Sequence, residues 1–332
     1  GFLLANLAQF LAQFWAQFLA QFWLKLSEHQ RHPSTFLLAS LGPVWLEKSV
    51  MAMVETGNVM TTALKGTVNQ TGFEMAETNP LLADFVSAYD GLHPLLDIGC
   101  AYGRNVAAAV RMLGAGHVAP DPRLQVVACD CALEHLEAVD ALEIPQVTTI
   151  YGKLPLDLED VKGLAKELGG FSGILVSEVL HFLSGEEIKE SIETFKELLV
   201  PGGRLCITMF SPLANISGSN CPVADFYRQS YAERESAGCK WPGEDINLKK
   251  LIRELQASLA SDERAMSCFP SYFHVVSATQ MKLALEAAGF KILLAQEDRH
   301  PGHAPHFHND GRESTQVVAV KPTLEMLARG GA

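Results

Sequence analysis

The sequence predicts an α/β fold: a doubly wound, mostly parallel sheet of seven strands, with helical additions that act as a lid. Three observations carry this. Short apolar runs of strand length recur between longer segments of helical spacing, and that alternation builds a parallel sheet covered on both faces. The first run, near 94–98, leads into glycines at 99 and 103 and then a helix-compatible stretch, a strand–turn–helix corner. The composition, 48% hydrophobic and 19% charged over 332 residues, supplies a sizeable core and argues against disorder.

Residues 1–24 carry no charge and repeat Leu-Ala-Gln-Phe, with Gln9, Gln13, Gln17 and Gln21 spaced four apart. On a helix these and Asn6 share a stripe about 120° wide, and the rest of the surface is Leu, Phe, Trp and Ala. Three roles fit it: a membrane-spanning or interface-lying anchor, the remnant of a targeting segment, or a helix from an expanded repeat that packs on a partner or on itself. Lys25 and Arg31 follow, so an anchor would leave the rest of the chain in the cytoplasm, the expected location. His32-Pro33-Ser34-Thr35 reads as a linker, which sets 1–43 apart from a main domain over 44–325 and a tail at 323–332. Within the main domain, 44–92 reads as a mainly helical preface, with a helix start at Asn79-Pro80. The core, 93–211, places strands near 94–98, 125–130, 147–151, 173–178 and 204–210. Helices fall near 103–113, 133–141, 158–168 and 186–199. A mostly helical insertion follows over 212–283, with a turn at Trp241-Pro242-Gly243, and closing strands near 291–296 and 315–321 occupy 284–322.

The corner after the first strand is built for a nucleotide-like ligand. Its spacing, Gly99-x-x-x-Gly103, is not the Gly-x-Gly-x-x-Gly of a dinucleotide site, and Asp97 in the strand end would repel a pyrophosphate. An acid there suits an ammonium group. The second strand also ends in an acid, Asp130, placed to hold ribose hydroxyls. A ligand with an amino-acid end and a ribose end is S-adenosylmethionine.

Over 95–210 the chain resembles the class I S-adenosylmethionine-dependent methyltransferases. Leu96-Asp97-Ile98-Gly99-Cys100-Ala101-Tyr102-Gly103 is similar to that family's first motif, and Asp130 to its ribose-binding acid. The run from Phe171 to Leu183 resembles the fourth-strand motif, and Leu198 to Phe210 the turn and fifth strand. The resemblance implies a sheet of order 3-2-1-4-5-7-6 whose last two strands form an antiparallel hairpin. It also implies that the helical preface folds over the cofactor. The expected cofactor residues are Asp97, Gly99, Cys100, Ala101, Gly103, Asp130, Cys131, Leu154 and Ser177. One departure stands out: family members often carry an acid near the adenine after the third strand, and Gly152-Lys153-Leu154-Pro155 offers none.

The expected activity is transfer of a methyl group to the O, N or C nucleophile of a small molecule. His181 and Glu178, at the carboxyl end of the fourth strand, are the candidate catalytic residues, with His181 as proton acceptor. Two other readings remain: methylation of a protein side chain, with 212–283 as recognition surface, and a cofactor-binding module without turnover held at a membrane. Nucleic acid is disfavoured by the net charge of −12 and by Ser177-Glu178-Val179-Leu180, where base methyltransferases usually show Asn or Asp, two prolines and an aromatic residue. The seven cysteines include no Cys-x-x-Cys pair, and no metal is assigned. The loop holding His300, His303, His306 and His308 would overhang the pocket; metal binding, a general base, a grip on an acidic substrate and a solvated Pro/Gly loop all fit it.

The uncharged repeat generates one prediction. The full chain should associate with liposomes or with itself, and a chain shortened to begin near Pro33 should do neither while still binding its cofactor. Liposome flotation and sedimentation of both chains check this; equal flotation would reject an anchor.

Overall fold

A computed structural model describes residues 66–69, 74–114, 123–215, 222–244, 247–255, 269–303 and 307–326, with a few single residues between 260 and 266. The repeat at 1–24, the linker at 32–35 and most of the preface lie outside these residues. Among the described residues no helix is long and apolar enough to cross a membrane.

Seven strands form one sheet: β1 Leu95–Ile98, β2 Val126–Asp130, β3 Val147–Tyr151, β4 Phe171–Ser177, β5 Leu199–Phe210, β6 Lys291–Asp298 and β7 Ser314–Val320. Their order is β3-β2-β1-β4-β5-β7-β6, the order that the family resemblance implies. Pairing is parallel from β3 to β5 and antiparallel for β5–β7 and β7–β6. Central β1 pairs on both sides, Leu96 with Val127 and with Ile174, and all four of its residues are buried. That is why it reads as a continuous apolar run and not an alternating one. β5 differs from its expected start near 204. It reaches back to Leu199, because Pro201-Gly202-Gly203 bulges between the pairs Phe171–Leu199 and Gly173–Arg204, with Gly202 at φ 87°.

Helices cover both faces: α1 Leu82–Val86, α2 Arg104–Gly114, α3 Leu133–Asp140, α4 Glu159–Leu168 and α5 Gly185–Leu198. α5 starts at a capping box, in which Ser184 accepts from the Glu187 N–H and Glu187 accepts from the Ser184 N–H. It buries Ile188, Ile192, Phe195 and Leu198 against the sheet at helical spacing. In the described part of the preface only α1 is helical. Asn79 Oδ1 accepts from the Leu81 N–H, an Asx turn that delays the helix by three residues. Beyond β5, α6 Pro222–Ser236 and α7 Leu248–Leu255 share a second apolar cluster with Phe210, Phe269, Phe273 and Phe307. α8 Ala278–Ala287 crosses position 283, where the sequence places the change from insertion to closing strands, and packs Met281 and Leu285 into the main core. Trp241 lies over Gly185, where an added Cβ would come within 2.1 Å of the indole.

The central strand β1 carries one polar residue. Asp97 in β1 is fully buried, and neither carboxylate oxygen has a hydrogen-bond partner. Burial, with the Asp130 charge adding to it, pushes its pKa up from an ordinary 3.8 to about 7. The folded chain therefore holds a proton that the unfolded chain has already released between about pH 4 and 7, and stability must fall as pH rises through that window. At about 1.4 kcal/mol per unit, the native chain should lose about 2–3 kcal/mol more than Asp97→Asn between pH 5 and 8. Urea denaturation across that range checks this; parallel curves for the two chains would show that Asp97 does not titrate in the core.

Candidate active site

The loop after β1 is left-handed at three of five positions: Gly99 (φ 77°), Ala101 (φ 46°) and Gly103 (φ 81°). A Cβ on Gly99 would fall 2.2 Å from Val179 Cγ2, so the loop can follow its path only with glycine there. Gly103 donates to the Cys100 carbonyl, and its own carbonyl takes the Ala107 N–H as α2 begins. The loop is anchored from the neighbouring strand. Gly99 and Cys100 donate to the Cys129 carbonyl, and the Ala101 N–H reaches Asp130 Oδ2 at 2.9 Å. Asp130 Oδ1 takes the Ala132 N–H at 2.9 Å and lies 3.0 Å from His135 Nδ1. Three of about four acceptor positions on the carboxylate are filled, leaving one on Oδ2.

A cavity of about 300 Å³ runs over the carboxyl ends of the strands from β3 to β5. On the β3–β2–β1 side it is lined by Gly99, Cys100, Ala101, Tyr102, Asp130, Cys131, His135, Lys153 and Leu154. Burial and Asp130 push the Cys131 thiol up, so this side chain is a neutral wall group. On the β4–β5 side stand Ser177, Glu178, His181 and the rings of Phe182, Phe210, Phe269, Phe273 and Phe307. The expected residues Gly99, Cys100, Ala101, Asp130, Cys131, Leu154, Ser177, Glu178 and His181 thus line one cavity. Asp97 and Gly103 do not line it: Asp97 is sealed beneath the loop, and an added Cβ on Gly103 would press on Val139.

The structure adds residues that motif reading passed over. Asn79 donates through Nδ2 to Ser177 Oγ and to Thr208 Oγ1, each at 2.8 Å, and its N–H reaches Asn105 Oδ1 at 2.9 Å. It therefore ties the preface to the ends of β4 and β5. Asn-Pro as a turn starter was the available signal, and it speaks of backbone shape only. His135 follows Asp130 by five residues, one turn into α3, where nothing in the spacing marks it as a carboxylate partner.

At the end of β4, Glu178 takes the left-handed conformation (φ 56°), costly for a residue with a Cβ. That turn aims its carboxylate at three imidazoles. Oε1 lies 3.5 Å from His303 Nε2, and Oε2 lies 3.7 Å from His181 Nδ1. His303 stacks on His300 at 4.5 Å and on Phe210 at 4.5 Å. The loop after β6 is therefore no solvated overhang at these positions, since both rings are buried. His308 sits 3.8 Å from Glu313 on the other side of this loop, and His306 lies outside the described residues. Burial opposes the Glu178 charge, but the facing imidazoles, His303 first and then His300 and His181, outweigh it and hold its pKa low, at about 2. Burial drives His181 and His300 down to about 4 each, so both rings are neutral at pH 7.

The residues fit S-adenosylmethionine. A tight glycine corner, a buried acid without a partner below it and a ribose-height acid beside it answer to an ammonium and a diol. Residues 96–205 match a family model described as "Methyltransferase domain". No curated protein matches the chain. Solved structures similar to it include an S-adenosylmethionine-dependent methyltransferase from Anabaena variabilis, at 17% identity over 72% of this chain and 82% of that one with a TM-score of 0.44. A second, from Mesorhizobium loti, is 17% identical over 73% of this chain and 96% of that one, with a TM-score of 0.45. A third is a glycopeptide N-methyltransferase complexed with S-adenosyl-L-homocysteine, 14% identical over 73% and 88% of the two chains, with a TM-score of 0.43. The domain match falls on the segment that runs from β1 into β5 and carries both acids, so this part of the chain is similar to methyltransferase domains.

Proposed function

We propose that the chain methylates an O, N or C nucleophile on a small molecule with a flat, apolar body. The observation that supports this is the asymmetry of the cavity. Its β3–β1 side carries Asp130 and the glycine corner, and its β4–β5 side is walled by five phenylalanines. A protein side chain offered from a large surface would need a wide approach, whereas a pocket of about 300 Å³ lined by rings suits a compact ligand.

When bound, the cofactor supplies a methyl group on a positively charged sulfur. The chain's own residues do the rest. Asp130, with its one open acceptor position on Oδ2, receives a ribose hydroxyl, and the loop at Gly99, Cys100 and Ala101 supports the amino-acid end above Asp97. Cys131 and Leu154 form the wall at the base. Ser177, fixed by Asn79, stands where the two sides of the cavity meet. The phenylalanine wall excludes water, which favours a reaction that consumes charge. His181 is buried and neutral, so it has a lone pair with which to take a proton from a hydroxyl or amine. Glu178 beside it stabilises the imidazolium that forms.

Three outcomes test the assignment. Asp130→Ala should weaken binding of S-adenosylmethionine by about 1–3 kcal/mol in calorimetry, the scale of charge-assisted hydrogen bonds; unchanged affinity would remove Asp130 from the cofactor site. With labelled methyl donor, counts should enter a metabolite fraction and not a protein extract. His181→Ala should lower kcat by about 10²-fold or more with cofactor affinity retained. Label in protein alone would replace the small-molecule reading, and an unaltered kcat would leave placement as the whole mechanism.

A further inference from the structure

The buried cluster at the end of β4 has more unsatisfied lone pairs than an acid–base pair needs. Six of its side-chain atoms are buried without a hydrogen-bond partner: Glu178 Oε1 and Oε2, His181 Nδ1, His300 Nε2, and His303 Nδ1 and Nε2. Buried polar atoms in folded proteins are almost always satisfied, and six together in one place point to a shared ligand. Glu178, His300 and His303 each offer one donor atom, and these donors lie within 4.8 Å of one another.

We infer that Glu178, His300 and His303 form a binding site for a divalent transition-metal cation of borderline softness, such as Zn²⁺. Two imidazoles and one carboxylate are the donor set that such ions prefer over Mg²⁺ or Ca²⁺, which take oxygen ligands. Charge agrees with this: the cluster offers one carboxylate and no Lys or Arg, so a cation balances it. The donors are held from behind. His303 is clamped between the His300 and Phe210 rings, and the strained backbone at Glu178 fixes its carboxylate. Glu178 and His300 line the cavity, which gives an ion its entry path. Closing the donors to bonding distance takes small side-chain rotations. Ligation through His300 Nε2 moves that ring's proton to Nδ1 and opens the 3.1 Å contact from the Gly302 N–H, the loss of one weak hydrogen bond. His181 stays on the other carboxylate oxygen, so the ion and the proton acceptor share Glu178. The site does not depend on which acceptor is methylated.

The test is calorimetric titration of the full metal-free chain with Zn²⁺, with Mg²⁺ as comparison. One tight Zn²⁺ per chain is expected, weakened by more than about 100-fold in His303→Ala and in Glu178→Gln, since losing a ligand exceeds the loss of an outer partner. His93→Ala, a half-exposed histidine beside Asp90, should leave it unchanged. Circular dichroism and binding of S-adenosylhomocysteine should be retained in both ligand variants, which separates loss of the metal site from loss of the cofactor site. Should a variant fail to fold, Co²⁺ added to the unaltered chain gives a second readout, the visible absorption of a low-coordinate nitrogen-and-oxygen site. Weak, multiple Zn²⁺ binding that is indifferent to these substitutions, or Co²⁺ with the spectrum of the free ion, would overturn the site.

Discussion

The Asp130 carboxylate is the hinge on which the cofactor side of the molecule turns. The glycine corner is left-handed at three of five positions, and at its middle the Ala101 N–H turns to the neighbouring strand. Asp130 takes that N–H, the Ala132 N–H just beyond its own strand, and the His135 ring besides. Loop, following helix and carboxylate are thereby fixed as one body before any ligand arrives, and that lowers the ordering cost of binding. A second acid directly below, Asp97, would be hard to tolerate if both were ionised. Its raised pKa resolves the conflict: one proton stays on the pair while nothing cationic is near. A ligand bringing an ammonium group to this corner would favour release of that proton, so cofactor binding and the charge of the core are linked.

The β4–β5 side of the cavity rests on a different device. Where β4 ends, the chain has to leave the sheet, and it does so through Glu178 in a conformation that disfavours side chains. The following turn, Leu180–Phe182, then places His181 beneath the Phe273 ring. The strain at Glu178 is offset by the packing around it: Val179 fills the space left by Gly99, and Phe210 stacks on His303. The same contact that requires glycine at 99 therefore fixes the residue next to Glu178, and the two sides of the cavity are coupled through a single valine methyl.

Much of this was legible in the sequence because it follows from local rules. Continuous apolar runs gave the buried parallel strands, helical spacing over 186–199 gave α5, and the acids at 97 and 130 gave the ligand class. The positions sequence could not show are those whose meaning depends on distant partners. Asn79 matters through Ser177 and Thr208, 98 and 129 residues away. His300 and His303 sit among Pro and Gly, which describe a loop's backbone and are silent on whether its side chains turn inward. They do turn inward, because β7 folds back antiparallel between β5 and β6 and draws the connecting loop across the end of β5 onto Phe210. The delay of α1 has the same origin: the Asn79 side chain is shared between its own turn and the sheet edge.

This division of labour explains why the cofactor is easier to read than the acceptor. The cofactor corner lies within one βαβ unit, so its residues keep fixed sequence intervals set by strand and helix length. The phenylalanine wall, the proposed acceptor side, is assembled from the end of β5, the stretch between α7 and α8, and the loop between β6 and β7. No interval between those segments is set by secondary-structure geometry, so their phenylalanines read only as core. What brings them together is the second apolar cluster, in which Tyr227 and Ile252 of α6 and α7 pack on Phe210, Phe273 and Phe307. Under the proposed function, changes within that cluster would reshape the acceptor pocket without touching the glycine corner, which would make acceptor specificity a property of the packing of α6 and α7 against the sheet end.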